Sequence, residues 1–145
     1  MRFECHVDIK APRDKVIRLF DSFENLKEWQ DGFQGHEHLE GIPGEVGAKT
    51  RMTYIMRGKP MELIETVDVK DLPREFSGTY VHKHMTNSLK NFFEEIEGGT
   101  RWRSQVHYTR LKGPMIRIMA FLFPGMFKKQ VQKWMDQFKA FVERS

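Results

Sequence analysis

One acidic residue inside an apolar run is the clearest candidate for acid–base chemistry. Glu65 lies in the segment MELIETV, and it falls at every second position together with Met61, Leu63 and Val67. Alternate residues of an extended strand share one face. If that face is the interior, burial without a cationic partner raises the pKa of the carboxyl group, as general acids and bases near neutral pH require. Glu65 is therefore the candidate catalytic residue.

Alternation in the neighbouring extended runs places further polar side chains on the same inferred interior face. These are Tyr80, His82, Asn91, Ser104 and Tyr108. Each could orient a polar group of a ligand or hydrogen-bond the carboxyl group of Glu65. The alternative is structural, since buried Tyr and Asn are usually satisfied core residues and perturbed carboxyl groups are often structural. We favour this structural role for Glu65 over the catalytic one.

The remaining inward-facing positions describe an apolar and aromatic lining for a ligand. They are Met52, Tyr54, Met56, Leu63, Phe93, Trp102, Met115, Met119 and Phe123. Methionine fits irregular, adaptable apolar surfaces, and ligand pockets are generally lined in this way. Ordinary core packing is the alternative for most of the methionines. With the polar residues above, this set is the predicted binding site for a hydrophobic small molecule.

Other chemistries lack a matching pattern. His36-x-His38 and His82-x-His84 have no further ligands at diagnostic spacing, so we expect solvated histidines and no metal. Gly41, Gly44 and Gly47 precede a strand rather than a helix, so we expect no dinucleotide, and no cofactor of any kind. Cys5 lies within a strand and does not resemble a nucleophile. The lysines of the last helix match no nucleic-acid motif, and we expect no nucleic-acid partner.

The C-terminal stretch from residue 113 to 145 must carry much of this site. Residues 115–123 are apolar nearly all round, which predicts a helix buried on most sides. From Phe127 to Val142 apolar residues recur at steps of three and four, which predicts an amphipathic helix with one core-facing stripe. Pro124-Gly125 should break the helix between the two halves. The first half is expected to roof the cavity, and the break is the expected entrance.

The rest of the chain supplies a sheet. Apolar and polar residues alternate from residue 3 to residue 9, which predicts a strand. Ala11-Pro12 then begins two helical pieces that reach Phe33. Short turns separate the following extended runs, and Glu97-Gly98-Gly99-Thr100 is a strong hairpin signal. The pattern predicts an α+β domain with a curved, meandering antiparallel sheet of six or seven strands that has one face in water. A long C-terminal helix and two short helices should cover the other face.

This order resembles the helix-grip fold of the START-like (SRPBCC) superfamily, which includes the polyketide cyclase/dehydrase and lipid-transport families. The similar stretches are Ala11-Pro12, Trp29, Gly41-x-Pro43-Gly44-x-x-Gly47, Glu65 in MELIETV, Pro73, and Thr100-Arg101-Trp102. The resemblance covers the whole chain. It implies a long helix across a concave sheet, with a cavity between them for lipids, sterols, polyketides or other apolar ligands. Because such motifs are structural, the fold alone does not assign an activity.

Composition agrees with one domain over residues 1–145. The chain has 145 residues and a net charge of +4, and its positive residues are spread along the sequence. The single Cys5 and the absence of a secretory pattern at the start predict a cytoplasmic location, and no transmembrane segment is expected. No feature predicts an oligomeric state. We favour a carrier or sensor of an apolar small molecule or lipid over a cyclase- or dehydratase-type enzyme, and place a protein-, ribosome- or membrane-interaction module third.

Overall fold

A seven-stranded antiparallel sheet and a set of helices on one side of it make up the fold. The computed structural model describes residues 1–145. The strands are β1 (Arg2–Ile9), β2 (Phe33–Glu40), β3 (Lys49–Met56), β4 (Lys59–Asp71), β5 (Glu75–His82), β6 (Met85–Ile96) and β7 (Gly99–Leu111). The helices are α1 (Arg13–Phe20), α2 (Leu26–Trp29), α3 (Pro114–Leu122) and α4 (Gly125–Arg144), with a 3-10 turn (Phe23–Asn25) before α2. The predicted α+β architecture is confirmed.

The sheet is an open meander, and the first strand forms one of its two edges. Strands β2 to β7 pair in chain order, and β1 joins the far edge by pairing with β7. The order along the sheet is therefore β1-β7-β6-β5-β4-β3-β2. Short turns permit antiparallel pairing between neighbours, as the sequence predicted. The predicted hairpin at Gly98-Gly99 joins β6 to β7.

The convex face of the sheet is exposed and carries cross-strand ion pairs. Arg103 on β7 bonds both Glu4 on β1 and Glu94 on β6. Arg51 on β3 does the same with Glu37 and Glu62 on its two neighbours. Exposed ion pairs contribute little to stability, typically below about 1 kcal/mol. Their main significance is that they identify this face as the solvated one.

An aromatic cluster fills one end of the concave side. Phe138 of α4 is fully buried, and its ring centroid lies 5.1 Å from those of Trp29 and Trp102. Phe20 of α1 packs edge-on against Phe138 and lies 5.0 Å from Phe93. Helices α1, α2 and α4 are thus joined to β6 and β7 through one set of rings.

Helix α4 is amphipathic, as predicted. Its buried residues are Phe127, Met135, Phe138, Phe141 and Val142, which recur at helical spacing. It packs mainly against β1 and α2. The long helix therefore lies closer to the β1 edge of the sheet than to the middle strands β4 and β5.

Two details of the sequence prediction are wrong. Phe33 does not end the second helical piece but begins β2, where it pairs with Tyr54. The segment from Met115 to Phe123 is not buried on most sides, because Met115 is 75% exposed and Phe123 is 62% exposed. Helix α3 ends at Leu122, and the backbone of Phe123 after it (φ −131°, ψ 60°) is not helical, so α3 and α4 are separate helices.

Candidate functional site

A carboxyl group and a tyrosine hydroxyl form a hydrogen-bonded pair at the centre of the concave face. Glu65 on β4 and Tyr80 on β5 are direct partners in the strand register. The hydroxyl of Tyr80 donates a hydrogen bond of 2.7 Å to Oε2 of Glu65. Glu65 is buried, with 7% of its surface exposed, whereas Tyr80 is half-buried. The face that alternation assigned to Glu65 is therefore the interior.

Burial makes the neutral form of both groups more favourable. It is the main cause that raises the pKa of Glu65 above 4.5; the hydrogen bond from Tyr80 opposes the shift, and the negative charge of Asp21 adds to it. The pKa of Tyr80 is raised well above 10, first by burial and then by the adjacent carboxylate. No cationic group is among the causes of the pKa shift of Glu65. A carboxyl group in this setting can accept or donate a proton closer to neutral pH than an exposed one.

The pair belongs to a polar row that crosses the sheet. In the register, Thr50 is opposite Glu65, Tyr80 is opposite Asn87, and Asn87 is opposite Tyr108. Directly opposite residues place their side chains on the same face. Burial raises the pKa of Tyr108 to about 12. The row gives the concave face a line of hydroxyl, carboxyl and amide groups from β3 to β7.

Apolar side chains flank this row on the side towards α3. Leu63 is opposite both Met52 and His82, and Met56 lies further along β3. Met52 is buried, but Met56, Leu63 and His82 are only half-buried. Burial lowers the pKa of His82, and the nearby positive charges of His84 and Lys83 lower it further. His82 is therefore mainly neutral near pH 7. Its Nδ1 accepts the backbone N–H of His84 at 3.1 Å, which leaves Nε2–H as a donor.

Tyr54 and Trp134 close the site on the side of α4. Their rings stack with centroids 5.6 Å apart. The hydroxyl of Tyr54 donates to Oε1 of Gln30 at 2.7 Å. The indole N–H of Trp134 is buried and has no hydrogen-bond partner. A buried donor without a partner is costly, and a ligand acceptor or water molecule there would remove that cost.

Four predicted site residues lie instead in the aromatic end of the core. Phe93 and Trp102 are buried in that cluster. Asn91 accepts a hydrogen bond of 2.9 Å from the indole N–H of Trp102, so its carbonyl already has a partner. Ser104 is opposite Asn91 and is fully buried, with no partner for its hydroxyl. These residues are separated from the Glu65–Tyr80 pair by the intervening row of Val67, Gly78, Leu89 and Val106.

Helix α3 does not bring its three predicted residues over Glu65 in the way the sequence suggested. Met115 and Phe123 are exposed, whereas Met119 is half-buried together with Ile116 and Ala120. Only that narrow side of α3 faces the rest of the molecule. Met115 and Phe123 therefore do not form the predicted roof in this structure.

Several residues of the site were not chosen from the sequence. Thr50 was on the inferred interior face, but a lone hydroxyl gave no reason to select it. Asn87 belongs to β6, which begins at Met85. Extending the alternation backwards from Asn91 would have reached it. Gln30 and Trp134 come from helices, and no strand pattern could place them beside Tyr54.

Two open depressions on the surface lie outside this region. One is at the opposite end of the sheet, between the start of α1 and the β6–β7 turn, and the other follows the outer side of α4. Neither depression lies between the sheet and the C-terminal helices, so the enclosed cavity expected there stays a prediction. No three His, Cys, Asp or Glu side chains are grouped so that they could hold a metal ion.

Comparison with known proteins yields matches in structure rather than in sequence. No protein-family model matches the chain. No curated protein matches it either. The solved structure of Ara h 8.0201 is similar with a TM-score of 0.79 and 19% identity, over 100% of this chain and 99% of that one.

Two further structures have the same architecture. The ZhuI aromatase/cyclase from Streptomyces sp. R1128 has a TM-score of 0.81 and 11% identity, over 99% of this chain and 94% of that one. The major latex-like protein 151 from Panax ginseng has a TM-score of 0.74 and 15% identity, over 98% and 97%. Since the likeness spans nearly all of each chain, this protein shares the helix-grip fold of these structures.

Proposed function

We propose that this protein binds an apolar small molecule or lipid that carries a polar group, between the sheet and the C-terminal helices. The observation that carries the proposal is the Glu65–Tyr80 pair on the concave face, where the buried carboxyl group of Glu65 lies in a short polar row flanked by apolar side chains. Ligand sites are mostly apolar with a few convergent polar groups, and this face has that composition. We place this function in the cytoplasm, where the free thiol of Cys5 would remain reduced.

The polar group of the ligand would be held by donors and acceptors that the protein leaves available. Burial raises the pKa of Glu65, and its carboxyl group accepts hydrogen bonds and, when protonated, also donates one. Asn87 lies next to Tyr80 in the polar row. The unpartnered indole N–H of Trp134 would donate to an acceptor on the ligand. Recognition of a hydroxyl or carbonyl group on a hydrophobic body is the chemistry that these groups favour.

The apolar body of the ligand would lie towards α3. Met56, Leu63 and His82 face the concave side yet remain half-buried, unlike the fully buried aromatic end. An apolar molecule over these side chains would remove their remaining exposed surface, at about 25 cal/mol per Å². Methionine and leucine adapt to different shapes, which suits a carrier or sensor.

Native mass spectrometry of the purified protein tests the proposal. We expect a retained small molecule, or a mass shift with members of a panel of lipids and aromatic polyketides. Glu65→Gln should weaken binding by about threefold to tenfold, because it changes one hydrogen-bonding group. Glu62→Gln is the matched control, since Glu62 lies on the same strand but on the solvated face. Recovery of the bare chain alone, with no shift from any panel member, would count decisively against binding.

A cyclase- or dehydratase-type enzyme is the second candidate. The bond between Glu65 and Tyr80 favours it, because a buried carboxyl group oriented by a phenol is suited to general acid–base catalysis. The named aromatase/cyclase among the similar structures supports the same class of reaction. In this case Glu65 would be the proton-transfer group and Tyr80 would position it. Turnover of a linear polyketide that Glu65→Gln abolishes without loss of binding would favour the enzyme over the carrier.

A further inference from the structure

Helix α3 is the most exposed apolar element of the molecule. Phe121 is 84% exposed, and Met115, Ile118 and Leu122 on the same side are exposed as well. Together these four residues form what we call the α3 apolar surface. Soluble proteins rarely expose large contiguous apolar patches, and those that occur often mark protein or membrane interaction sites.

The segments before and after the α3 apolar surface carry positive residues and no negative ones. No Asp or Glu occurs between Glu97 and Asp136. Five basic residues close to α3 in sequence make no ion pair, namely Arg110, Lys112, Arg117, Lys128 and Lys129. On the convex face, by contrast, Arg101 and Arg103 are paired with acidic partners.

Neighbouring turns add further positive residues at the same end of the sheet. The backbone N–H of Lys112 bonds the carbonyl of His84, which places the β5–β6 turn with Lys83 beside the start of α3. Arg57, in the β3–β4 turn, lines a depression together with Lys129. Neither Lys83 nor Arg57 has an acidic partner in the structure. The basic residues therefore belong to several elements that meet at this end.

We propose that α3 docks this protein on the surface of an anionic lipid membrane. The α3 apolar surface would enter the boundary between headgroups and acyl chains, while the unpaired Lys and Arg side chains contact the headgroups. Interfacial helices combine apolar aromatic and aliphatic residues with basic ones in this way. No helix of the molecule is long and apolar enough to cross a membrane, and the nine residues of α3 would lie in the interface.

Charge decides between a membrane and a second copy of the chain. A symmetric dimer through α3 would bring two sets of unpaired basic residues together, and like charges across an interface are unfavourable. The anionic cytoplasmic leaflet has the complementary charge. This inference goes beyond the proposed ligand and does not rest on it.

Vesicle flotation with the full-length chain tests the docking. We expect binding to vesicles of phosphatidylcholine with a minority of phosphatidylserine, and weaker binding to phosphatidylcholine alone. The double variant Phe121→Ser, Leu122→Ser should lower the partition coefficient by at least about tenfold. The control is Ile42→Ser, Val46→Ser, because these two apolar residues are also exposed but lie in the β2–β3 loop at the opposite end.

The electrostatic part has its own pair of variants. Lys128→Gln, Lys129→Gln should weaken binding about fivefold for each charge removed, and added salt should reduce that difference. Arg18→Gln, Lys27→Gln should have no effect, since both residues are exposed and unpaired but lie on α1 and α2. Thermal denaturation of every variant would verify that it is folded.

Three results would overturn the proposal. One is failure of the parent protein to float with the anionic vesicles at low salt. Another is equal loss of binding in the α3 and the loop variants. The third is sedimentation that shows a concentration-dependent dimer which Phe121→Ser, Leu122→Ser dissociates, since a second copy would then cover α3. Because no small-molecule ligand is added, none of these results depends on the outcome for the concave face.

Discussion

Glu65 has an environment that favours its neutral form. Its carboxyl group is buried, receives one hydrogen bond from Tyr80, and has no cationic partner. A carboxylate buried beside a cation would keep its charge and would serve mainly structure. The absence of that cation here separates Glu65 from the exposed carboxylates of the convex face, such as Asp8, whose pKa is lowered by its bond to Arg101.

The pH dependence of stability should report the raised pKa of Glu65. Between pH 4.5 and the pKa in the folded state, the unfolded chain releases a proton that the folded chain retains. Stability must therefore fall as pH rises through this window, by about 1.4 kcal/mol for each pH unit, and then level off. Glu65→Gln removes this loss, so the variant should gain stability relative to the parent as pH increases.

Urea denaturation of both proteins across this pH range checks the prediction. Glu62→Gln is again the control, because it removes an exposed carboxyl group from the same strand. A constant difference between Glu65→Gln and the parent at every pH would mean that the folded and unfolded states share the same pKa. Burial would then not keep Glu65 neutral.

At the scale of elements, the strands and α4 were predictable and α3 was not. Alternation identified the interior face of β3, β4, β5 and β7, because each strand has one wet side. The stripe from Phe127 to Val142 likewise identified the buried side of α4. An apolar helix, however, has no polar side to mark solvent, and nothing in residues 115–123 says whether protein or lipid covers it. That ambiguity is physical, since both surroundings favour the same residues.

The pairing of β1 with β7 depends on a glycine whose role the hairpin signal alone did not reveal. A Cβ atom added at Gly99 would lie 2.0 Å from the carbonyl oxygen of Ile9. Backbone atoms would have to move apart at the point where the two strands begin to pair. We expect Gly99→Ala to lower the free energy of unfolding by about 2–3 kcal/mol, measured by urea denaturation.

Gly125→Ala is the matched control for this prediction. Gly125 begins α4, and an added Cβ there would meet no atom within 4 Å. Alanine is the better helix former, so this variant should be unchanged or more stable by up to about 1 kcal/mol. Equal stability of Gly99→Ala and the parent would show that the edge strand shifts at little cost.

At the scale of the whole molecule, the two ends of the concave side differ. One end is packed by the rings around Phe138, and the other carries half-buried side chains and the exposed α3. The sequence predicted the aromatic and methionine content of this side but not its division. Residues such as Asn91 and Met56 both face inwards, and only the helices above them decide that Asn91 is sealed and Met56 is not. A site that depends on such long-range packing cannot be obtained from alternation alone.

Native-state hydrogen exchange should reveal this division as a gradient of stability. Amides of β7 near Trp102 should exchange only on global unfolding, whereas those of α3 should exchange through local opening, because few contacts hold that helix. Phe138→Ala removes the ring that joins α1, α2 and β7, and should lower global stability by about 3–5 kcal/mol. Protection of the β7 amides should fall by the same free energy, while that of α3 stays unchanged.

Phe121→Ala is the control and should leave global stability within about 0.5 kcal/mol of the parent, since its side chain is exposed. If the α3 amides were as protected as those of β7, the two ends would unfold as one unit, and α3 would not be free to meet a membrane independently of the core.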